Sequence, residues 1–452
     1  MHAPHAAPVP RSRAGRTALA LVSLATAAGC GDGQAATVHP AESLAAAAPH
    51  ATAPACAPDN GGLKLPTGFC ATIFADSVGS PRHIAVGPDG TVYVALQVAR
   101  RFGSEQGATR NGGVLVLRDR DGNGRSDEVD GFGAHGGTGI AVTRGFVYVD
   151  EGNQIARYAI VPGQLRPTGA GQVIVAGLPT GGHEARNIVL DGKGALYVNV
   201  GSNTNSCQES DRHSGSPGAD PCTELQTRAG IWRFAADRPG QEFSPAARWA
   251  TGIRNAMGLT LNPLDGRIYT TQHGRDQLFQ NWPNHYTVEQ SAELPAEEFM
   301  QVNAGDDFGW PYCYYDQMQS KLVLAPEYGG DGHAVGRCAS KKAPVAAYPG
   351  HWAPMASMFY TGTEFPAHYR GGAFITFHGS WNRAPLPQAG FRVVFQPMAN
   401  GRASGRYETF ADGFREGSVT RRPVGLAQAP DGGLYVTDDA RGRIWKIVYT
   451  GR

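Results

Sequence analysis

A short strand–turn–strand unit recurs six times along the chain, and this repeat constrains the fold more than any other feature. Each copy has an apolar strand, a glycine-containing turn and a second strand with alternating apolar residues. The turn in the first and last copies is Pro-Asp-Gly, which favours a tight reversal between two strands. The copies run over Ile84–Val94, Ile140–Val149, Ile188–Val200, Leu259–Tyr269, a weaker Gly371–Phe377, and Leu426–Val436.

A further strand-like segment follows five of these copies. These segments are Gly113–Leu117, Gln154–Tyr158, Gly230–Phe234, Phe391–Phe395 and Gly442–Ile447. Hairpins repeated in this way, each with additional strand partners, predict an all-β protein with the architecture of a six-bladed β-propeller. The alternative is a β-sandwich whose strands resemble one another by accident, and the regular recurrence argues against it.

The propeller is predicted to occupy residues 59–452 of the 452-residue chain. The wide gap between the fourth and fifth copies predicts an insertion at about 281–348, with a helix within Val288–Met300. Residues 31–58 are rich in Ala, Pro, Gly and Thr and are predicted to form a flexible tether.

Residues 1–30 have the pattern of an export signal. Three arginines (Arg11, Arg13 and Arg16) precede the apolar run Thr17–Ala28, which is too short for a stable membrane-spanning helix. The run ends in Ala-Ala-Gly-Cys, which is similar to a bacterial lipoprotein cleavage site, although Ala27 stands where leucine is usual. We therefore expect export to the periplasm with a lipid anchor at Cys30, the alternative being ordinary signal cleavage nearby.

The remaining six cysteines fit an oxidising compartment, where disulfides persist. Sequence proximity favours the pairs Cys56–Cys70, Cys207–Cys222 and Cys313–Cys338, although other pairings are open on paper. The chain has no Cys-x-x-Cys pair, so a zinc knuckle or a covalently attached haem is not supported.

Charge is almost balanced, with 40 Lys and Arg against 39 Asp and Glu. A balanced surface argues against nucleic acid or a strongly anionic membrane as partner. Membrane attachment is therefore expected only through the N-terminal anchor.

Loops that precede the inner strand of each propeller blade meet around the central channel, so their residues converge although they are distant in sequence. These loops carry several cationic and imidazole side chains: Arg82-His83, His135, His183 with Arg186-Asn187, Arg254-Asn255, and Arg421-Arg422. Clustered arginines repel one another unless an anion neutralises them, and the guanidinium fork suits carboxylates. We therefore predict a small multi-carboxylate ligand here, with a neutral His183 beside it as general base. For Arg82 and Arg421, structural salt bridges are an equally good interpretation.

Six stretches in this order resemble the soluble quinoprotein sugar dehydrogenases, most closely the glucose/sorbosone dehydrogenase-like proteins that use pyrroloquinoline quinone (PQQ). The stretches are GGHEARN, GIRNAMGL, QHGRDQ, FGWPYCYYD, HGSWNR and RRPVGLAQAPDG, and they span roughly residue 60 to the C-terminus. The resemblance implies oxidation of a sugar or sugar aldehyde by hydride transfer to PQQ, with Ca²⁺ as second cofactor.

The resemblance also implies residue roles. His183 would take the substrate hydroxyl proton, Arg254 and Asn255 would contact the quinone oxygens, and Arg422 would pair with a cofactor carboxylate. The backbone carbonyls of Gly274 and Arg275 would hold the calcium ion. His378 and Arg383 are expected at the cofactor, with Arg383 in place of the lysine that the family carries on the fifth blade. A further family arginine is absent, because Val424 stands at its position.

A second calcium loop is predicted from residues alone. Oxygen-bearing side chains lie at positions 1, 3, 5, 9 and 12 of the segment 119–130, with glycine at position 6, which is similar to EF-hand spacing. The predicted ligands are Asp119, Asp121, Asn123, Asp127 and Asp130. The alternative is an Asp/Gly-rich turn without an ion.

Two other functions compete with the dehydrogenase. A calcium-dependent propeller lactonase needs acidic and amide side chains around a central metal, whereas these loops are rich in Arg and His. A non-catalytic binding propeller would leave the clustered arginines without a use. The sugar and the external electron acceptor are not identified by the sequence.

Overall fold

The computed structural model describes residues 56–98 and 112–451, and six sheets dominate this part of the chain: five are four-stranded and antiparallel, and that of the second blade has four antiparallel strands and a short parallel fifth strand, Gln241–Glu242. The predicted six-bladed β-propeller is therefore confirmed. From inner to outer strand, the first blade consists of Pro81–Val86, Val92–Leu96, Val114–Arg118 and Glu128–Phe132. The second consists of Ile140–Val142, Phe146–Asp150, Ile155–Ala159 and Gln172–Ala176. The third consists of Ile188–Leu190, Ala195–Val200, Gly230–Ala235 and Arg248–Thr251.

The last three blades complete the ring. The fourth blade consists of Thr260–Asn262, Arg267–Gln272, Glu297–Val302 and Ala346–Tyr348. The fifth consists of Pro354–Phe359, Ala373–Phe377, Arg392–Gln396 and Glu408–Ala411. The sixth consists of Pro423–Gln428, Leu434–Asp438, Arg443–Tyr449 and Phe69–Ala75. The sixth blade takes its outermost strand from the beginning of the propeller, with Phe69 opposite Tyr449. This pairing ties the two ends of the propeller together.

The apolar core lies between adjacent blades, because both faces of each inner strand pair are covered. Trp232 and Trp445 are fully buried, and Phe374, Phe395 and Phe410 pack with edge-to-face or tilted rings. Alternating apolar residues on short strands fill such a core from both sides.

The fifth blade differs from its predicted copy. Gly371–Phe377 contributes the second strand, Ala373–Phe377, and the inner strand is Pro354–Phe359. The sequence does not predict this inner strand, because it begins with proline and contains two methionines. It also reaches the second strand through a long connection instead of a Pro-Asp-Gly turn.

Two strands of the fourth blade, Glu297–Val302 and Ala346–Tyr348, fall inside the predicted insertion at 281–348. The inserted residues therefore lie before the strand Glu297–Val302 and between it and the strand Ala346–Tyr348. They include the helices Leu278–Asn281 and Val288–Glu293, and the hairpin of Cys313–Asp316 with Lys321–Leu324. The predicted helix within Val288–Met300 is confirmed for its first half only, because Glu297 onward is a strand.

The remaining elements are short. They are the hairpins Met398–Ala399 with Arg402–Ala403 and Arg415–Glu416 with Val419–Thr420, the strand Gln241–Glu242, and 3₁₀ turns at Asn60–Gly62, Thr223–Gln226, Pro245–Ala247, Pro326–Tyr328, Gly336–Ser340 and Ala367–Tyr369.

All three predicted disulfides are present: Cys56–Cys70, Cys207–Cys222 and Cys313–Cys338. Disulfides of this kind form in oxidising compartments, so the chain is an exported protein. The predicted signal, Cys30 and all but the last residues of the tether lie outside the described residues. Between residues 56 and 451, as far as the structure describes them, no helix is long and apolar enough to cross a membrane.

Candidate active site at one edge of the propeller

The start of each inner strand and the end of each second strand lie at the same edge of a blade, because the two strands are antiparallel. We call this the site edge. It gathers the predicted cationic loops. It also gathers residues that end the second strands or lie just beyond them: Gln97, Asp150, Ser202, His273, His378 and Asp439.

A cavity of about 470 Å³ opens at the site edge between the second and third blades. His183 and Asn255 both line it, so the structure brings these two predicted residues to one space. Arg186, Asp150 and Glu184 also line it.

Hydrogen bonding fixes the tautomer of His183. Its Nδ1 lies 2.9 Å from both the carbonyl oxygen and the hydroxyl of Ser202. The Ser202 hydroxyl donates to the Thr204 carbonyl at 2.6 Å, and a carbonyl only accepts, so the proton between His183 and Ser202 belongs to Nδ1. Nε2 therefore keeps its lone pair, and it has no hydrogen-bond partner among the described residues.

Electrostatics keep the same imidazole neutral. Burial, followed by the nearby charge of Arg254, lowers the pKa of His183 to about 3. A lone pair is therefore available on Nε2 throughout the neutral pH range.

Gly182, the residue before His183, is required by the backbone around it. A Cβ on Gly182 would lie 2.5 Å from Asn203 Cα and 2.6 Å from the Ser202 carbonyl, and its φ is +61°. Glycine is therefore needed at position 182 for the close approach of these two loops.

Arg254 lies behind this cavity and is almost fully buried. Its Nε donates to the Asn205 carbonyl, Nη1 to the Gly274 and His273 carbonyls, and Nη2 to the side chains of Asn205 and Asp276. All five N–H groups therefore have protein acceptors. This geometry favours a fixed positive charge beside His183 over the predicted direct contact with a quinone oxygen.

Asn255 is oriented by a histidine. His273 Nε2 lies 2.9 Å from the Pro354 carbonyl and so donates to it, which leaves Nδ1 to accept from Asn255 Nδ2 at 3.4 Å. The Oδ1 atom of Asn255 is buried and has no partner among the described residues. An unsatisfied buried oxygen beside a cavity is a group that a bound ligand can satisfy.

The two predicted calcium-binding carbonyls have different surroundings. The Gly274 carbonyl accepts from Arg254 Nη1 at 2.8 Å, whereas that of Arg275 accepts no hydrogen bond from the described residues. The Arg275 side chain is buried and forms a salt bridge with Glu327. Each carbonyl oxygen has two lone pairs, so both remain possible oxygen ligands.

A buried relay holds Arg422. Asp439 pairs with Arg82 through Oδ2 and accepts from His378 Nε2 at 2.8 Å through Oδ1. His378 Nδ1 therefore accepts, and Arg422 Nη1 donates to it at 3.1 Å. The Nε and Nη2 groups of Arg422 have no partner among the described residues, so Arg422 offers donors to a ligand while His378 positions it.

Arg82 and Arg421, for which salt bridges were an equally good interpretation, differ in their contacts. Arg82 forms a buried salt bridge with Asp439, and Arg421 lies 3.8 Å from a carboxylate oxygen of Asp438. The contacts therefore favour the structural interpretation for Arg82, whereas Nε of Arg421 is buried without a hydrogen-bond partner among the described residues.

Arg383 braces the HGSWNR loop. Its guanidinium donates to the carbonyls of Ala292, Gly350 and Pro387 and to the Glu293 carboxylate. These contacts favour a structural role over the predicted replacement of the family's lysine. In the same loop, Asn382 donates to Asp276 at 2.7 Å, so the loop connects the Arg254 cluster with the relay around Arg422.

The predicted second calcium loop lies at the opposite end of a strand pair, between the third and fourth strands of the first blade. Carboxylate oxygens of Asp119, Asp121 and Asp127 lie within 4.8 Å of one another. Asp130 is not part of this group and pairs with Arg166 at 3.1 Å, while Asn123 Oδ1 accepts from the Arg125 backbone. Calcium binding here stays a prediction.

Several residues that matter to this geometry were given no role from the sequence. Ser202, Asp276 and Asp439 orient or neutralise the predicted residues, and Arg186 was noticed without a role. The available signal was position, since Ser202 and Asp439 lie just beyond the end of a second strand, at the edge where the inner strands begin.

Comparison with known proteins identifies relatives over part of the chain. A PQQ-dependent sugar dehydrogenase of Hypocrea jecorina is 22% identical over 333 residues, which is 69% of this chain and 73% of the relative. A PQQ-dependent pyranose dehydrogenase of Coprinopsis cinerea is 27% identical over 233 residues, which is 43% of this chain and 30% of the relative. An uncharacterised protein of Borreliella burgdorferi is 29% identical, and the chain spans about half (48%) of its length.

Solved structures share the fold. The PQQ domain of the Coprinopsis cinerea pyranose dehydrogenase superposes with a TM-score of 0.68 at 20% identity, covering 88% of this chain and 99% of that domain. A family AA12 carbohydrate-active enzyme of Trichoderma reesei gives a TM-score of 0.67 at 18% identity, covering 86% and 98%. These neighbours support the six-bladed propeller.

The sequence model of the TrAA12-like family matches residues 63–450, which is nearly the whole propeller. The resemblance to quinone-dependent sugar dehydrogenases is thereby confirmed, and the chain belongs to the TrAA12-like family.

Proposed function

We propose that this protein is a PQQ- and Ca²⁺-dependent dehydrogenase that oxidises a sugar or sugar aldehyde, with His183 as the general base. The observation that carries the proposal is the fixed tautomer of His183, whose free Nε2 lies at a cavity of about 470 Å³ shared with Asn255. The family and its PQQ-dependent relatives support the same activity.

The described residues fit the cofactor. Arg422 has free guanidinium donors for a carboxylate, and Asn255 has an unsatisfied buried Oδ1. Calcium takes oxygen ligands, which the carbonyls of Gly274 and Arg275 would supply. When bound, PQQ supplies the two-electron acceptor that protein side chains lack.

His183 would take the proton from the hydroxyl of the substrate at Nε2, while Ser202 holds Nδ1–H and the ring orientation. The low pKa of the isolated site weakens this base, and much of that effect comes from burial and from Arg254. An anionic cofactor beside Arg254 would offset the charge and raise the pKa of His183. Arg254 would in turn stabilise negative charge that develops near it.

The lactonase alternative finds less support. In the described residues, the one group of three or more carboxylate or imidazole ligands that could hold a metal is on the outer hairpin of the first blade, away from the site edge. A propeller hydrolase would place such ligands around a central ion.

The experiment is reconstitution of purified protein with PQQ and Ca²⁺, followed by dye reduction with aldoses and sugar aldehydes. We expect dye reduction that needs PQQ. Lactone hydrolysis without PQQ would favour the hydrolase, and absence of both cofactor uptake and turnover would favour a binding module. Electrons would leave through an external acceptor, and we propose that the enzyme is periplasmic and lipid-anchored at Cys30.

A further inference from the structure

Arg275 carries a positive side chain and, in the proposed function, a carbonyl that binds calcium. Its side chain is buried, with the residue 3% exposed, and it forms a salt bridge with the fully buried side chain of Glu327. The second calcium-binding carbonyl is that of Gly274, the residue before it. A positive charge on the turn that would hold a divalent cation needs compensation, because like charges repel.

The compensation of Arg275 comes from one side chain. Glu327 is the one carboxylate within salt-bridge distance of its guanidinium among the described residues. Nε and Nη2 of Arg275 donate to the Asp276 carbonyl at 3.3 and 3.2 Å, and a carbonyl does not carry a full charge. The Asp276 carboxylate forms salt bridges with Arg254 and Arg212 instead. Direct compensation of Arg275 therefore falls to Glu327.

The insertion of the fourth blade supplies Glu327, and its neighbours fix the carboxylate. Glu327 lies in the 3₁₀ turn Pro326–Tyr328, and its Oε1 accepts from Trp282 Nε1 at 2.9 Å and from Ser206 Oγ at 3.2 Å. The Glu327 carbonyl also accepts from the Gly218 N–H at 2.9 Å. Side chain and backbone of Glu327 are thus held in place by donors from the insertion and from the third blade.

A second guanidinium increases the need for compensation at this turn. Arg254 Nη1 donates to the Gly274 carbonyl at 2.8 Å, so a calcium ion on this turn would lie near two buried arginines. Burial strengthens the repulsion, because little water screens it. Such a site favours a cation only if each guanidinium is paired with a carboxylate. Asp276 supplies one of these carboxylates and Glu327 supplies the other.

We propose that Glu327 is a positioning residue of the calcium site, which cancels the charge of Arg275 so that the Arg275 carbonyl can bind Ca²⁺. Glu327 acts through Arg275 and does not itself bind the ion. The inference rests on the calcium site of the proposed function. It adds that the insertion of the fourth blade takes part in cofactor binding.

The test compares variants of the full-length protein, all of which carry Asp121→Asn so that the 119–130 loop does not contribute. One readout is the dissociation constant of Ca²⁺, from calorimetric titration after treatment with a chelator. The other is the Ca²⁺ concentration that gives half-maximal uptake of PQQ. Glu327→Gln leaves Arg275 charged and unpaired, so both values should rise about 10–100-fold, the range for losing a group that supports a metal ligand.

Glu408→Gln is the matched control for net charge. Glu408 pairs with His368 at the edge of the fifth blade opposite to the site edge. Since exposed ion pairs contribute little, both readouts should stay within about twofold of the parent protein.

Arg275→Gln separates charge compensation from mere bracing of the turn. It breaks the same ion pair but leaves a negative charge near the calcium site, so Ca²⁺ affinity should rise or fall by no more than about threefold. A brace would lose affinity equally in Arg275→Gln and Glu327→Gln. The double variant buries no unpaired charge, and its affinity should return to within about threefold of the parent protein.

Three results would overturn the proposal: equal losses in the two single variants, a double variant as weak as Glu327→Gln, or parental affinity in Glu327→Gln. If Glu327→Gln does not fold, the double variant decides, and a tenfold or greater loss there refutes compensation. A parent protein that binds Ca²⁺ but takes up no PQQ refutes the dehydrogenase, whereas the calorimetry still decides the role of Glu327. PQQ uptake with the same Ca²⁺ response in Glu327→Gln keeps the dehydrogenase and refutes only that role. A parent protein that binds no Ca²⁺ refutes the site and the proposal together.

Discussion

Arg422 is predicted to anchor a carboxylate of PQQ, and its truncation should weaken cofactor binding more than any other single change in the relay. Two of its donor groups, Nε and Nη2, have no partner among the described residues, while Nη1 donates to His378 Nδ1 at 3.1 Å and to the Gly379 carbonyl at 3.3 Å. Hydrogen bonds to charged groups contribute about 1.5–3 kcal/mol each, and the partial exposure of Arg422 points to the lower end. Two such bonds then amount to about 3 kcal/mol, or roughly a hundredfold in dissociation constant.

Arg422→Ala should therefore raise the dissociation constant of PQQ by about two orders of magnitude. Arg422→Lys should recover part of this loss, because lysine keeps the charge but not the planar fork. His378→Ala removes one of the two acceptors of Arg422 Nη1, together with the donor to Asp439, and leaves the Gly379 carbonyl at 3.3 Å, so it should cost about 1 kcal/mol, or roughly fivefold. The measurement is fluorescence or calorimetric titration of the apoprotein with PQQ at fixed Ca²⁺ and ionic strength.

Arg402→Ala is the control, because Arg402 is an exposed arginine of the fifth blade and its removal makes the same change in net charge. The reasoning is refuted if Arg422→Ala binds PQQ within about twofold of the wild type, or if Arg402→Ala loses as much. Equal losses in His378→Ala and Arg422→Ala would show that the relay, and not the two free donors, carries the binding.

Three further outcomes follow from the same structure. His183→Ala should keep PQQ bound but slow turnover by about 10²–10⁴, the range for loss of a general base, and unchanged turnover would exclude that role. Burial raises the pKa of Glu298 to about 8 from an ordinary value near 4.5, so the contribution of the protonated carboxyl to stability is complete below the ordinary value and is lost as pH rises through about 8. The Tm of Glu298→Gln should therefore fall less than that of the wild type between neutral and mildly alkaline pH, and parallel curves of Tm against pH would contradict the assignment. If the 119–130 loop binds calcium, millimolar Ca²⁺ should raise the Tm of the wild type more than that of Asp121→Asn, whereas equal shifts would identify an ion-free turn.

The sequence by itself determined the repeating unit, and with it the number of blades. Turn chemistry and strand alternation are local properties, so Ile84–Val94 or Ile188–Val200 can be recognised without a partner. The three disulfides also followed from proximity along the chain. Recognition was weakest in the fifth blade, where Pro354–Phe359 lacks both the alternation and the tight turn.

The sequence also placed His183 and Asn255 in one site, because the edge at which antiparallel strands begin and end is fixed by topology. The sequence did not determine which arginines keep guanidinium donors that no protein group accepts. Arg254, Arg383 and Arg422 read alike in the sequence, yet the first two have their donors engaged by protein acceptors and only Arg422 keeps donors for a ligand.

Only the tertiary structure decided these differences, since a guanidinium is occupied or free according to carbonyls and carboxylates that arrive from other blades. Asp439 of the sixth blade fixes the tautomer of His378 of the fifth blade, and Ser202, beyond the paired second strand of the third blade, fixes that of His183. Hydrogen-bond satisfaction is a property of three-dimensional neighbours, and no local pattern along the chain encodes it.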